Sequence, residues 1–185
     1  MEELALHILD LIQNSLRAEA TGVELTIEED YNADLIRVTI NDNGKGMNEE
    51  YCSRVLDPFT TTRKTRRVGL GLPLVAMTAR QCNGDLKIDS IPEEGTAVSF
   101  TMQHSHWDRP PLGDMPQTIT ALLVGNPQLD LRYRHRVEEE EFVFDTREIR
   151  ETLGSELEIN NLEVLEWIKG YLEENLESLY DGGED

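Results

Sequence analysis

Asp10, Asn14 and Arg17 stand four and three residues apart. On a helix that spacing gathers a carboxylate, an amide and a guanidinium on one face, where they can converge on a single ligand. A polar helix face turned to water has the same spacing. Asp42-x-Gly44-x-Gly46 comes directly off an expected strand. Its carboxylate can accept a hydrogen bond from an amino group, and its glycines let backbone approach a ligand closely, although a plain turn shares the pattern. Gly69-Leu70-Gly71-Leu72 opens an expected helix, and the free N–H groups and dipole of a helix start suit phosphate. Just before it, Arg63, Lys64, Arg66 and Arg67 crowd into five positions of a chain whose formal net charge is -20. That local inversion asks for an anionic ligand held by charge-assisted contacts; a solvated loop is the alternative.

The elements that must position these groups are read from periodicity. Over residues 3–20 the apolar Leu4, Ile8, Leu11, Ile12 and Leu16 recur at helical spacing, which predicts a helix with one buried stripe, ended by Gly22. Residues 23–28 and 35–41 alternate apolar with polar around the turn Tyr31-Asn32-Ala33-Asp34, an antiparallel pair. A short helix capped by Asn48 is expected over 48–56, then a mobile loop over 60–68, then a helix over 72–81 stopped by Asn83-Gly84. Strands follow at 85–90 and 97–102. Residues 104–116 hold three prolines and no period, so a linker or an extended wrap is expected there. Beyond it, 118–124, 129–137 and 142–144 read as strands, and 146–153 and 162–180 as helices. The expected organisation is a first domain over 1–103, the linker, and a small α+β unit over 117–185.

A chain of 185 residues with 38% hydrophobic content can bury a real core without staples. It holds no run of the ~18 apolar residues that crosses a bilayer, and no signal-peptide pattern at its N-terminus, so a cytoplasmic location is expected. The charge argues against nucleic acid and against anionic membrane as partners. Cys52 and Cys82 lack any metal-ligand spacing and are expected as reduced thiols. His104 and His106 have no second ligand pair, so a solvated linker is expected rather than a metal site. The acidic run 138–141 is read as a solvated turn, and Trp167 with Tyr171 as core.

Asn14 on its helix, the turn Asp42 to Gly46, Asp57-Pro58-Phe59-Thr60-Thr61-Thr62-Arg63, Gly69 to Leu72 and Gly95-Thr96-Ala97-Val98-Ser99-Phe100 occur in an order and spacing that together resemble the GHKL superfamily. That superfamily unites histidine kinase catalytic domains, anti-sigma-factor serine kinases, type II topoisomerases, MutL proteins and a heat-shock chaperone. The resemblance covers residues 2–102. It implies an α+β fold, a two-layer sandwich in which a mixed sheet carries helices on one face (the Bergerat ATP-binding fold), with ATP and magnesium as cofactors. By resemblance, Asn14 holds magnesium, Arg17 reaches phosphate, and Asp42 hydrogen-bonds the adenine amino group above Gly44, Gly46 and Met47. Phe59 stands at the root of an ATP lid. Thr61, Thr62, Arg63 and Lys64 belong to that lid, with Arg63 as its catalytic cation. Gly69, Leu70, Gly71 and Leu72 face the phosphates, and Thr96 supports the adenine-binding aspartate.

Asp10 stands where hydrolysing members keep a glutamate that activates water. A role as general base and a role in ordering magnesium-bound water both remain open for the shorter side chain. The chain offers no helical region with a phosphoacceptor histidine, and His7 reads as a packing or surface residue. The function implied is a stand-alone signalling kinase that phosphorylates a separate protein. An ATP-gated binding module, like an anti-sigma switch, or a slow ATPase is the alternative. The C-terminal unit is expected to dock a partner or to form a homodimer.

Overall fold

The computed structural model describes residues 3–55, 71–154 and 157–181. Leu4, Ile8, Leu11 and Ile12 are buried along one side of the first helix, α1, which spans Leu4–Arg17. Gly22 does not end that helix; the chain turns at 18–21, and Gly22 is already the first residue of β1 (Gly22–Asp30). The next strand, β2 (Leu35–Asp42), pairs antiparallel with β1 and places Asp42 opposite Val23. Asn48 caps α2 (Glu49–Arg54) by accepting from Tyr51 N at 2.8 Å. Then come α3 (Gly71–Gln81), β3 (Leu86–Ile91) and β4 (Gly95–Gln103). The expected mobile loop over 60–68 lies outside the described residues.

The segment 118–124, expected as a strand, is part of a helix, α4 (Met115–Gly125). Its Thr-Ile-Thr run favours a strand locally. Three features override it: Asp114 caps the helix by accepting from Gln117 N at 2.8 Å, Pro116 fits the first turn, and Met115, Ile119, Leu122 and Leu123 form a buried helical stripe. The chain continues through β5 (Asp130–Val137), β6 (Glu140–Asp145), α5 (Thr146–Leu153) and α6 (Leu162–Asp181).

All six strands form one sheet, in the order β3-β4-β2-β1-β5-β6. It is mixed because β5 runs parallel to β1 while the other neighbours are antiparallel. Helices α1, α3, α4 and α6 pack on one face, over Val23, Leu25, Ile27, Ile36, Val38, Ile40, Phe100, Met102, Leu131 and Tyr133. The fold is therefore α+β in two layers, with the helices on one side of a mixed sheet. Strands β5 and β6, which come after the segment without regular structure at 104–114, extend that sheet. No described helix is long and apolar enough to cross a membrane.

One polar cluster is buried in the helical layer. The Glu29 carboxylate accepts from His135 Nε2 at 2.9 Å, from His104 Nε2 at 2.8 Å and from the Tyr180 hydroxyl at 2.5 Å. Burial pushes its pKa up, but the hydrogen bonds from His135, Tyr180 and His104 outweigh burial and bring it down to about 2. His104 is thus no solvated linker residue: it ties the irregular segment to β1, while Tyr180 ties down the end of α6. Trp167, expected in the core, is 55% exposed and stacks on Tyr171 at 5.3 Å. The acidic run is also no free turn, since Glu138 accepts from Tyr31 N and Asn32 Nδ2, and Glu140 and Glu141 lie in β6.

Candidate functional site

The site is built at the end of β2. Register with β1 and β4 sets the Asp42 side chain on the helical face of the sheet, level with Val23 and Thr96. Above it runs α1, whose buried stripe Leu4, Ile8, Leu11 continues into a polar residue, Ser15. The Ser15 hydroxyl donates to Asp42 Oδ2 at 2.6 Å, and Gly44 N donates to Asp42 Oδ1 at 2.9 Å. Each carboxylate oxygen keeps a further lone pair for a ligand. Ser15 was missed by spacing. Its signal was chemical: a hydroxyl on a buried stripe requires a partner.

The turn after Asp42 is sewn to both neighbouring junctions. Asn43 Oδ1 accepts from Thr21 N and Gly22 N, at 2.9 and 2.8 Å, and Lys45 N donates to Ala18 O at 2.8 Å. On the other side Glu93 N donates to Lys45 O at 2.7 Å, and Met47 N donates to Ser90 Oγ at 2.8 Å. Ser90, also missed by the motif reading, shares a 2.8 Å hydrogen bond with Thr96 Oγ1. Thr96 therefore stands beside Asp42 on the neighbouring strand, with its hydroxyl committed to Ser90. Gly46 has φ +63°, and a Cβ there would lie 2.0 Å from Ile91 O, so only glycine fits.

Further along α1, Arg17 Nη1 donates to Asn14 Oδ1 at 2.8 Å. The first residue of α3 meets this face: a Cβ on Gly71 would lie 2.2 Å from Asp10 Oδ2 and 3.7 Å from Asn14 Nδ2. The structure thus brings Asp10, Asn14, Arg17 and Gly71 together at a helix N-terminus, one residue along α1 from the Ser15–Asp42 contact. Leu72 packs on the core. Phe59, Thr61, Thr62, Arg63, Lys64, Gly69 and Leu70 lie outside the described residues. A carboxylate with free lone pairs and a helix start beside an amide and a guanidinium suit a ligand that joins a base with an amino group to an anion.

The sequence profile of the histidine kinase-, DNA gyrase B-, and HSP90-like ATPases matches residues 2–106. The chain belongs to this ATPase family. Asp42, Asn14, Gly71 and Thr96 all fall within the matched segment, which is an ATP-binding domain by family. Sporulation kinase A of Bacillus subtilis is 35% identical over 95 residues, 50% of this chain and 15% of that protein. The non-motile and phage-resistance protein of Caulobacter vibrioides is 33% identical over 111 residues, 55% of this chain and 13% of that protein. The chain therefore spans less than a fifth of either relative. Among solved structures, the N-terminal domain of a DNA repair protein superposes with a TM-score of 0.53 at 14% identity, over 84% of this chain and 58% of that one. That likeness concerns the fold alone. It covers more of the chain than the profile does.

Proposed function

We propose that this ATPase-family chain is a stand-alone signalling protein kinase, which binds ATP with magnesium and transfers the γ-phosphate to a separate partner protein. The observation that carries the reading is the Asp42 carboxylate, oriented by Ser15 and Gly44 N with lone pairs left over. In this reading those lone pairs accept the adenine 6-amino group, and guanine, with a carbonyl at that position, is refused. Phosphates lie toward Asn14, Arg17 and Gly71, and Arg63 and Lys64 add positive charge from the segment before α3. A magnesium ion takes hard oxygen ligands, and the Asn14 amide oxygen, which accepts from Arg17 Nη1 at 2.8 Å, keeps a second lone pair for one. Bound there, it would neutralise charge on the triphosphate. Asn14 orients, Arg17 and Arg63 stabilise the charge that develops on the transferred group, and the accepting histidine or serine comes from the partner.

A second reading is favoured by one contact. The Asp10 carboxylate abuts Gly71 at the start of α3, so a ligand that moves Asp10 is felt where the segment before α3 joins the domain. That suits an ATP-gated binding module with little turnover. The experiment that separates the two uses γ-labelled ATP with magnesium and a candidate partner. Label that appears on the partner, and is lost with Asn14→Ala, supports the kinase. Tight ATP binding with neither transfer nor phosphate release supports the gate and overturns the kinase.

A further inference from the structure

The face of the sheet opposite the helices carries a patterned array of charge. Along β1 that face holds Glu24, Thr26 and Glu28, and beside them β5 holds Arg132, Arg134 and Arg136, in register row by row. On the outer sides, β2 contributes Asn41, Thr39 and Arg37 in the same rows, and β6 contributes Val143, Glu141 and Asp145, the last buried and held by the exposed Arg147 at 2.6 Å. An acidic column thus stands next to a basic column, with a basic residue beyond the first and acidic residues beyond the second. The array is not fully satisfied by the described residues. Among them, the Nε–H groups of Arg132 and Arg134 are buried with no hydrogen-bond partner, and Arg134 Nε only approaches Glu141, at 3.5 Å. Glu28 is shared by Arg37 at 3.4 Å and Arg136 at 2.7 Å. Arg132 and Glu24 also line a cavity of about 380 Å³ at the strand ends, together with Asn41, Asp42, Asn43 and Arg147.

We propose that this open face is the interface of a homodimer in which two copies pack sheet on sheet about a two-fold axis parallel to the strands and midway between β1 and β5. That operation preserves height along the strands and exchanges β1 with β5 and β2 with β6. It sets Glu24 over Arg132, Glu28 over Arg136 and Arg37 over Glu141 of the second copy, and each contact occurs twice. The remaining rows oppose Thr39 to Val143, Thr26 to Arg134 and Asn41 to the Arg147–Asp145 pair, so no two like charges meet. Other occupants are less well matched: a basic partner would face the Arg132–Arg136 column, and an acidic one Glu24 and Glu28. At about 0.15 M salt the Debye length of about 8 Å screens the net charge between copies but spares pairs in contact. The interface is polar and of the wet class rather than a buried core. It leaves Asp42, Ser15 and Thr96 on the other face, so the dimer keeps both nucleotide sites open.

The test is sedimentation of the full chain, of Glu24→Arg, of Arg132→Glu, and of an equimolar mixture of the two variants, with circular dichroism to establish that each variant is folded. Each single variant sets like charge on like charge across the axis and is expected to raise the dimer dissociation constant at least about tenfold. In the mixture, the arginine introduced at position 24 of one chain meets the glutamate introduced at position 132 of the other. The native Arg132 of the first chain and the native Glu24 of the second still face each other, so the mixture is expected to recover the native constant. A purely internal role for these side chains gives no recovery on mixing. A single monomeric species up to about 100 µM, a dimer indifferent to both substitutions, or folded variants whose mixture stays monomeric would each overturn the proposal.

Discussion

The Ser15 hydroxyl on α1 donates a 2.6 Å hydrogen bond to Oδ2 of Asp42, the last residue of β2. One contact thereby fixes the helix that bears Asn14 to the strand end that bears the Asp42 carboxylate. Ser15→Ala leaves that carboxylate free to turn, and removal of one charge-assisted hydrogen bond costs about 1 to 2 kcal/mol. Calorimetry is expected to show ATP affinity lowered about fivefold to thirtyfold in Ser15→Ala.

Gly71 tests the second cluster. A methyl group there meets the end of the Asp10 side chain, which can turn aside, and Gly71→Ala is expected to destabilise the fold by at most about 1 kcal/mol. The double variant with Asp10→Ala should recover most of that loss in denaturant titration, because the obstructing atom has gone. Equal instability of single and double variants would place the cost elsewhere.

Gly46→Ala should be more severe, since it combines a positive φ with a Cβ 2.0 Å from the Ile91 carbonyl oxygen. Strain and overlap together are expected to cost about 3 kcal/mol or more. The readout is the thermal midpoint, with loss of ATP affinity to follow because Gly46 shapes the turn beside Asp42.

Acid should unfold the protein partly through Glu29. Its folded pKa of about 2 lies below the ordinary 4.5, so its contribution is fully present above the ordinary value and is lost as pH falls through the folded one. The contribution is on the order of 3 kcal/mol. Glu29→Gln should lower stability at neutral pH by a similar amount and flatten the pH dependence between about 4.5 and about 2, as read from denaturant midpoints across that range.

What was legible in the sequence was chemistry confined to short segments. Asp42, Gly44 and Gly46 share one turn and Asp10, Asn14 and Arg17 share one helix face, so spacing alone placed them together. Contacts that cross the chain left no such trace. His135 lies 106 positions from Glu29, and nothing in either segment names the other. Alternation along β5 revealed which residues face the core, but not that the strand would lie parallel beside β1. The α4 segment misled because Thr-Ile-Thr prefers a strand locally, while its cap and buried stripe act over a longer window. Ser90 was passed over because its role, bridging Met47 N and Thr96, exists only once two strands pair.

The central claim is an adenine-specific, magnesium-dependent site on Asp42 and Asn14. Its most direct test is calorimetric titration of ATP, ADP and GTP, with and without magnesium, into the native chain, Asp42→Asn and Asn14→Ala. The account predicts preference for ATP over GTP and tighter ATP binding with magnesium. It also predicts an affinity loss of about 1 to 3 kcal/mol in Asp42→Asn and no magnesium effect in Asn14→Ala. Equal affinity for ATP and GTP, or unchanged ATP binding in both variants, would contradict it.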